Sequence, residues 1–241
     1  MSHKALITSD SSSRQTSRFG RIIHEDEIKV KERELREMKE EKDREFTELR
    51  SKSSRLESEL KELRKRKELR RQKLRNPKFN YDSSNPFSGI IAHLNQQAGG
   101  NVHQKGVVNI TSSSGHRNRC YNLVDYGWND YWKSQSSPNS WVMFDFKEKK
   151  VSLSSYSLKS DGSGKGGHLL QWKLEGSNDG SSWTCLDSRN TLDLNGQYIV
   201  KNYSTNNHDS HRYIRITQTG KNSGNSDKFC LYNIEFFGTL Y

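Results

Sequence analysis

The first 75 residues of this 241-residue chain hold too few aromatic groups to build a globular core. Phe19 and Phe46 stand alone there, while all five Trp and all ten Tyr come later. Residues 25–75 also lack glycine and proline altogether. Cysteine is scarce: Cys120, Cys185 and Cys230 are three in number, and no spacing matches a zinc knuckle or a redox pair. That excludes a disulfide-stapled scaffold and a structural zinc site. No apolar run is long enough to cross a membrane. Residues 1–21 are rich in Ser and Arg and lack the apolar stretch of a secretory signal. The expected setting is intracellular, reducing and cytoplasmic.

What is present is charge, unevenly spread. The net charge is +11; residues 1–75 carry 23 Lys/Arg against 16 Asp/Glu, and residues 76–241 carry 17 against 13. Residues 1–24 are polar and read as a disordered tail. Residues 25–75 are dense in Glu, Lys, Arg and Leu and read as one long helix. Ile28, Leu35, Leu49, Leu56 and Leu63 recur every seven residues, with gaps at Lys42 and Arg70. Phe46, Leu60 and Leu74 supply the second row, interrupted by Ser53 and Lys67. So narrow a stripe buries itself best against another copy, which predicts a dimeric coiled coil. The alternative is a single solvated helix. Residues 61–75 hold nine positive and two negative groups. Within them Lys61, Arg64, Lys65, Arg66, Lys67, Arg70 and Arg71 form a basic patch that could meet nucleic-acid phosphates, an anionic membrane surface or an import receptor. With no aromatics between these residues, a solvated face is the plainer reading and nucleic acid is not expected as partner.

Pro77 ends the helix, and the rest reads as a separate all-β domain over 76–241. A helical turn is expected near Gly89–Leu94 and strands at 107–111, 141–146, 151–159, 197–200, 212–217 and 230–238. The 141–146 strand looks apolar on both faces. The clearest signal is a hairpin: Leu170, Trp172 and Leu174 alternate with Gln171, Lys173 and Glu175. Ser177-Asn178-Asp179-Gly180 then turns the chain into Trp183.

Five motifs in order carry a family likeness. They are Trp132 with Ser134; Trp141-Val142-Met143-Phe144-Asp145-Phe146; Trp172 with Glu175-Gly176-Ser177-Asn178-Asp179-Gly180 and Trp183; Arg212-Tyr213-Ile214-Arg215-Ile216; and Ile234-Glu235-Phe236-Phe237-Gly238. Residues 77–241 thereby resemble the coagulation-factor 5/8 type C, or discoidin, domain. The resemblance implies a galactose-binding-like β-sandwich of jelly-roll type. It is similar to intracellular members in which the domain follows a coiled coil. Secreted members tie their two ends with a disulfide, and no Cys lies near either end here.

Members of that family bind through loops at one end of the sandwich. The resemblance places Trp128, Asp130, Tyr131 and Lys133 in one such loop and Asp161 and His168 in another, with Arg117 in a third. Trp132, in contrast, is expected in the core. Aromatic faces suit sugar C–H surfaces or a peptide anchor, and Asp and Lys orient polar groups. His208-Asp209-Ser210-His211 reads as a polar turn, with no nucleophile elbow beside it. Asp125, Asp130 and Asp161 do not have the spacing of a calcium loop, and no metal or cofactor is expected. The expected protein is therefore no enzyme. It is an adaptor whose loops take a protein partner; the alternatives are a lectin-like carbohydrate binder and a phosphate or membrane binder through the basic patch.

Overall fold

The computed structural model describes residues 10–114, 119–162, 164 and 166–241, and the chain divides into two units between Leu69 and Arg70. Most of the helix α1, Asp10–Arg75, makes up the first. It starts well before Glu25, so the expected tail of residues 1–24 is helical from Asp10; residues 1–9 lie outside the described residues. No proline interrupts 10–24, and lengthening an existing helix adds one hydrogen bond for each residue fixed. At the other end Asn76 N–H donates to Gln72 O at 2.9 Å, and Pro77 can neither donate nor continue the helix. The apolar row at Ile28, Leu35, Phe46, Leu49, Leu56, Leu60 and Leu63 is exposed along α1.

The second unit is a two-sheet antiparallel sandwich. One sheet runs β1 (Lys78–Phe79), β12 (Asn233–Leu240), β5 (Val151–Lys159), β8 (Val200–Ser204), with β9 (Ser210–His211) also on β5. The other runs β2 (Asn109–Ser112), β4 (Trp141–Asp145), β10 (Tyr213–Gln218), β6 (Gln171–Ser177), β7 (Thr184–Asn190). A short ribbon pairs β3 (Trp132–Lys133) with β11 (Cys230–Leu231). The inward faces meet as rings: Phe144 of β4 stands edge-on to Phe236 of β12, centroids 5.0 Å apart. Trp172 of β6 donates its indole N–H to the Tyr156 hydroxyl of β5 at 2.8 Å, and Tyr156 donates in turn to Asp187 Oδ2 at 2.8 Å. Trp132 is buried.

Local chemistry corrects several expected boundaries. β4 buries Val142 and Phe144 but leaves Trp141 and Met143 half-buried, so only one face is fully core. In β5 the buried set shifts from Val151 and Leu153 to Tyr156 and Leu158. A register shift opposite Phe237 and Gly238 changes the phase by one residue, as a β-bulge does. β8 starts at Val200 rather than Gln197, because Tyr198 sits at φ 56 and leaves the extended region. The expected helical turn grows into α2, Ile90–Ala98, ended by Gly99 at φ 66. Gly89 has no side chain to cap α2, and Glu235 of β12 does so instead. Its buried carboxylate accepts the N–H groups of Gly89, Ile91 and Ala92 and the Tyr126 hydroxyl. Burial pushes that carboxyl above its ordinary pKa, against the pull of these donors.

Among the described residues no helix is long and apolar enough to cross a membrane.

Candidate functional site

Two polar clefts lie at opposite ends of the sandwich. β4 and β10 run antiparallel, with Tyr213 opposite Asp145 and Thr217 opposite Trp141. The first cleft, of about 360 Å³, sits at the Asp145 end between His103, Lys147, Glu148 and Arg212. Its charges are largely matched to one another. Arg212 grips Asp145 with two hydrogen bonds at 2.7 and 3.0 Å, and Lys147 donates to the Gly106 carbonyl. The imidazole of His103 stacks on Tyr121 at 4.9 Å, and its Nδ1 accepts the Ile110 N–H at 3.0 Å. Burial, reinforced by the Lys147 charge, lowers its pKa.

The second cleft, of about 250 Å³, opens among the loops at the other end. Tyr131, Lys133, Asp161, Asn222 and Lys228 line it, with the backbone of Gly166, Gly167 and Gly224. Three separate loops meet here because hydrogen bonds tie them together. Ser223 Oγ accepts the N–H groups of Gly167 and His168, both at 3.0 Å. Gly166 and Gly167 sit at φ 81 and 115, where an L side chain is strained. Buried Asn222 holds its own loop: its Nδ2 donates to Lys228 O at 2.8 Å, and its Oδ1 accepts from Gly224 and Ser226 at 3.0 Å each. Ser134 and Phe229 exchange hydrogen bonds of 2.9 Å, fixing the Lys133 wall against the third loop.

The chemistry of this cleft is mixed. The Lys133 ammonium lies 5.8 Å from the Tyr131 ring centroid. Neither Lys133 nor Lys228 has an ion pair among the described residues. The Asp161 carboxylate is buried, and its Oδ1 lies 3.7 Å from His168 Nδ1. That Nδ1 is buried and has no hydrogen-bond partner among the described residues. Burial pushes the Cys230 thiol up to about 12, with Asp161 adding to the rise. Burial of this kind favours the neutral thiol.

Of the residues expected to bind, Tyr131, Lys133 and Asp161 share this cleft. His168 stands behind Asp161, itself 3 % exposed. Trp128 packs against the core and tilts toward Tyr232, centroids 6.5 Å apart. Asp130 turns back to its neighbour, accepting the Tyr131 N–H at 2.8 Å. Arg117 lies outside the described residues. The basic patch at Lys61, Arg64, Lys65, Arg66, Lys67, Arg70 and Arg71 is exposed on α1. Asn222 and Lys228 were missed by sequence reasoning. The signal was the polar run Gly220–Lys228 between two strands, which reads as an ordinary loop until its ends are placed beside Gly166 and Gly167. Missed too was a ledge beside the cleft, where the Lys159 ammonium lies 5.4 Å from the Tyr198 ring centroid and 4.3 Å from that of Tyr232. Among the described residues no group of three or more His, Cys, Asp and Glu is placed to hold a metal ion. Asp125 Oδ1 accepts the Gly127 N–H instead.

A jelly-roll sandwich whose end loops surround a small polar cleft has the build of a binding module. The model of the F5/8 type C domain family matches residues 108–233, more than half of the chain, and the chain belongs to that family. No curated protein matches it in sequence. Solved structures resemble its fold at low identity. CpGH89CBM32-5 from Clostridium perfringens, in complex with GalNAc-β-1,3-galactose, has a TM-score of 0.47 and 13% identity, covering 55% of this chain and 96% of its own. The family 32 CBM of C. perfringens NanJ, in complex with galactose, has a TM-score of 0.45 and 13% identity, covering 56% and 95%. The C-terminal domain of a chitobiase from Bacteroides fragilis has a TM-score of 0.48 and 16% identity, covering 56% and 95%. Likenesses this distant say nothing of what this chain binds.

Proposed function

We infer that this protein is a non-catalytic carbohydrate binder whose loop-end cleft takes one sugar residue. The observation that carries the reading is the cleft shared by Tyr131, Lys133, Asp161, Asn222 and Lys228. It offers a ring face for sugar C–H groups and two ammonium donors for hydroxyls. At about 250 Å³ it falls below the roughly 300–1,000 Å³ of drug-sized pockets and suits a single ring. A peptide segment would call for an extended groove. We therefore place the sugar ahead of a protein partner. Calorimetric titration of the full chain against monosaccharides chosen from a glycan array tests this. Binding that falls at least about tenfold in Tyr131→Ala supports the reading. Binding to no glycan, or binding indifferent to Tyr131→Ala and Lys133→Ala alike, overturns it.

A further inference from the structure

The exposed seam of α1 has one partner that its own charges specify. Phe46, Leu49 and Leu63 are 66%, 65% and 60% exposed, so the dense middle of the seam lies open on this chain. In heptad terms Leu49 and Leu63 hold one core position and Phe46 the other, which fixes the flanking positions that face a second helix. Those flanks change sign heptad by heptad. Asp43 and Glu45 are acidic, Arg50 and Lys52 basic, Glu57 and Glu59 acidic, Arg64 and Arg66 basic.

We propose that α1 pairs with α1 of a second copy in antiparallel orientation, centred between Ser53 and Leu56. In that register Phe46 meets Leu63 of the other copy, Leu49 meets Leu60, and Ser53 meets Leu56. The flanks then match without exception through the middle: Asp43 faces Arg64, Glu45 faces Arg66, Arg50 faces Glu57, and Lys52 faces Glu59. Beyond the middle, residues 61–75, with nine positive and two negative groups, lie along residues 34–48, with four positive and seven negative. A parallel pair also matches the middle flanks, Glu45 with Arg50 for instance. It stacks the two strongly basic 61–75 segments side by side, however, and like charges so placed are destabilising. The antiparallel pair keeps unfavourable layers at Lys42 opposite Lys67 and Lys39 opposite Arg70. There the stems cover the seam while the charged heads reach water. The two Arg75 ends of such a pair stand about 60 Å apart at 1.5 Å per residue.

The test is sedimentation and disulfide trapping on the full chain. Leu49→Cys and Leu60→Cys proteins are made separately, each with Cys185→Ser, since Cys185 is the exposed native thiol while Cys120 and Cys230 are buried. Mixed and oxidised, they are expected to give 49–60 disulfides between chains. Disulfides of 49 with 49 and of 60 with 60 would show a parallel pair and overturn the proposal. A monomer at all concentrations overturns it as well, and so does a dimer that traps neither disulfide. A charge swap gives a second reading. Glu57→Arg is expected to weaken the wild-type dimer at least about tenfold, and adding Arg50→Glu to restore it. A parallel dimer would instead be weakened further by the second change, because there Arg50 faces Glu45.

Discussion

Glu235 accepts the backbone N–H of Ile91 at 2.9 Å across 144 residues of chain. The contact joins the last strand of the sandwich to the first turn of α2, so one buried carboxylate stands in for the capping side chain that Gly89 cannot provide. Glu235→Ala would strand three backbone donors, while the Tyr126 hydroxyl could still donate to the Ile234 carbonyl at 3.1 Å. Each stranded donor costs about 1–3 kcal/mol. The expected loss is therefore at least about 3 kcal/mol, read as a lowered denaturant midpoint, with Glu235→Gln keeping part of it. A variant within about 0.5 kcal/mol of the wild type would mean that α2 does not rely on this cap.

Asn222 organises a cleft wall through hydrogen bonds that stay within its own loop. Asn222→Ala should therefore cost the sandwich only about 1–3 kcal/mol, while sugar affinity falls at least about tenfold. Calorimetric titration beside a thermal melt separates the two effects. Unchanged affinity would show that the loop conformation does not matter to binding.

Two histidines, His103 half-buried and His211 buried, set a pH dependence. Burial lowers the pKa of His103 and also that of His211. A histidine with a depressed folded pKa is protonated first in the unfolded chain. Its contribution to stability is thus complete above the unfolded value of about 6.5 and drains away as pH falls toward the folded value. The melting temperature is expected to drop between pH 7.5 and pH 5.5. His103→Asn, whose amide oxygen can still accept the Ile110 N–H, should lose part of that drop. Melts at both pH values decide it.

Gly238 sits at φ 139, and a Cβ built there would lie 2.0 Å from the Ser152 carbonyl oxygen. Strand β5 leaves no room, because the register shift between β5 and β12 falls at this position. Gly238→Ala should prevent the sandwich from folding or lower its melting temperature by more than about 10 °C. Hydrogen exchange along β5 would locate the damage. A melting temperature equal to the wild type's would mean that the bulge moves freely.

Much of the sandwich was legible because its signals are local. Trp172 and Leu174 alternate with polar neighbours, Asn178-Asp179-Gly180 turns the chain, and Tyr156 and Leu158 mark the inner face of β5. What stayed hidden depends on contacts between distant segments. Glu235 looked like an ordinary strand residue, since nothing near it in sequence shows that α2 lacks a cap. Tyr131, Lys133 and Asp161 could be placed in loops, but their meeting with Asn222 rests on Ser223 bonding to Gly167 and His168, more than fifty residues away. Trp128 reads as a contact surface because it is an aromatic ring in a loop, and in the fold it is half-buried against the core. The start of α1 was missed because polar composition speaks of solubility and says little about whether a helix, once begun, will continue.

The strand that first joins the sandwich, β1, pairs with the far end of β12, Lys78 lying opposite Thr239. The cleft gathers beyond the opposite end of β12, next to Cys230 and about 20 Å away at strand spacing. Within the sandwich, the point where the chain enters and the mouth of the pocket are thus kept at opposite ends of one strand.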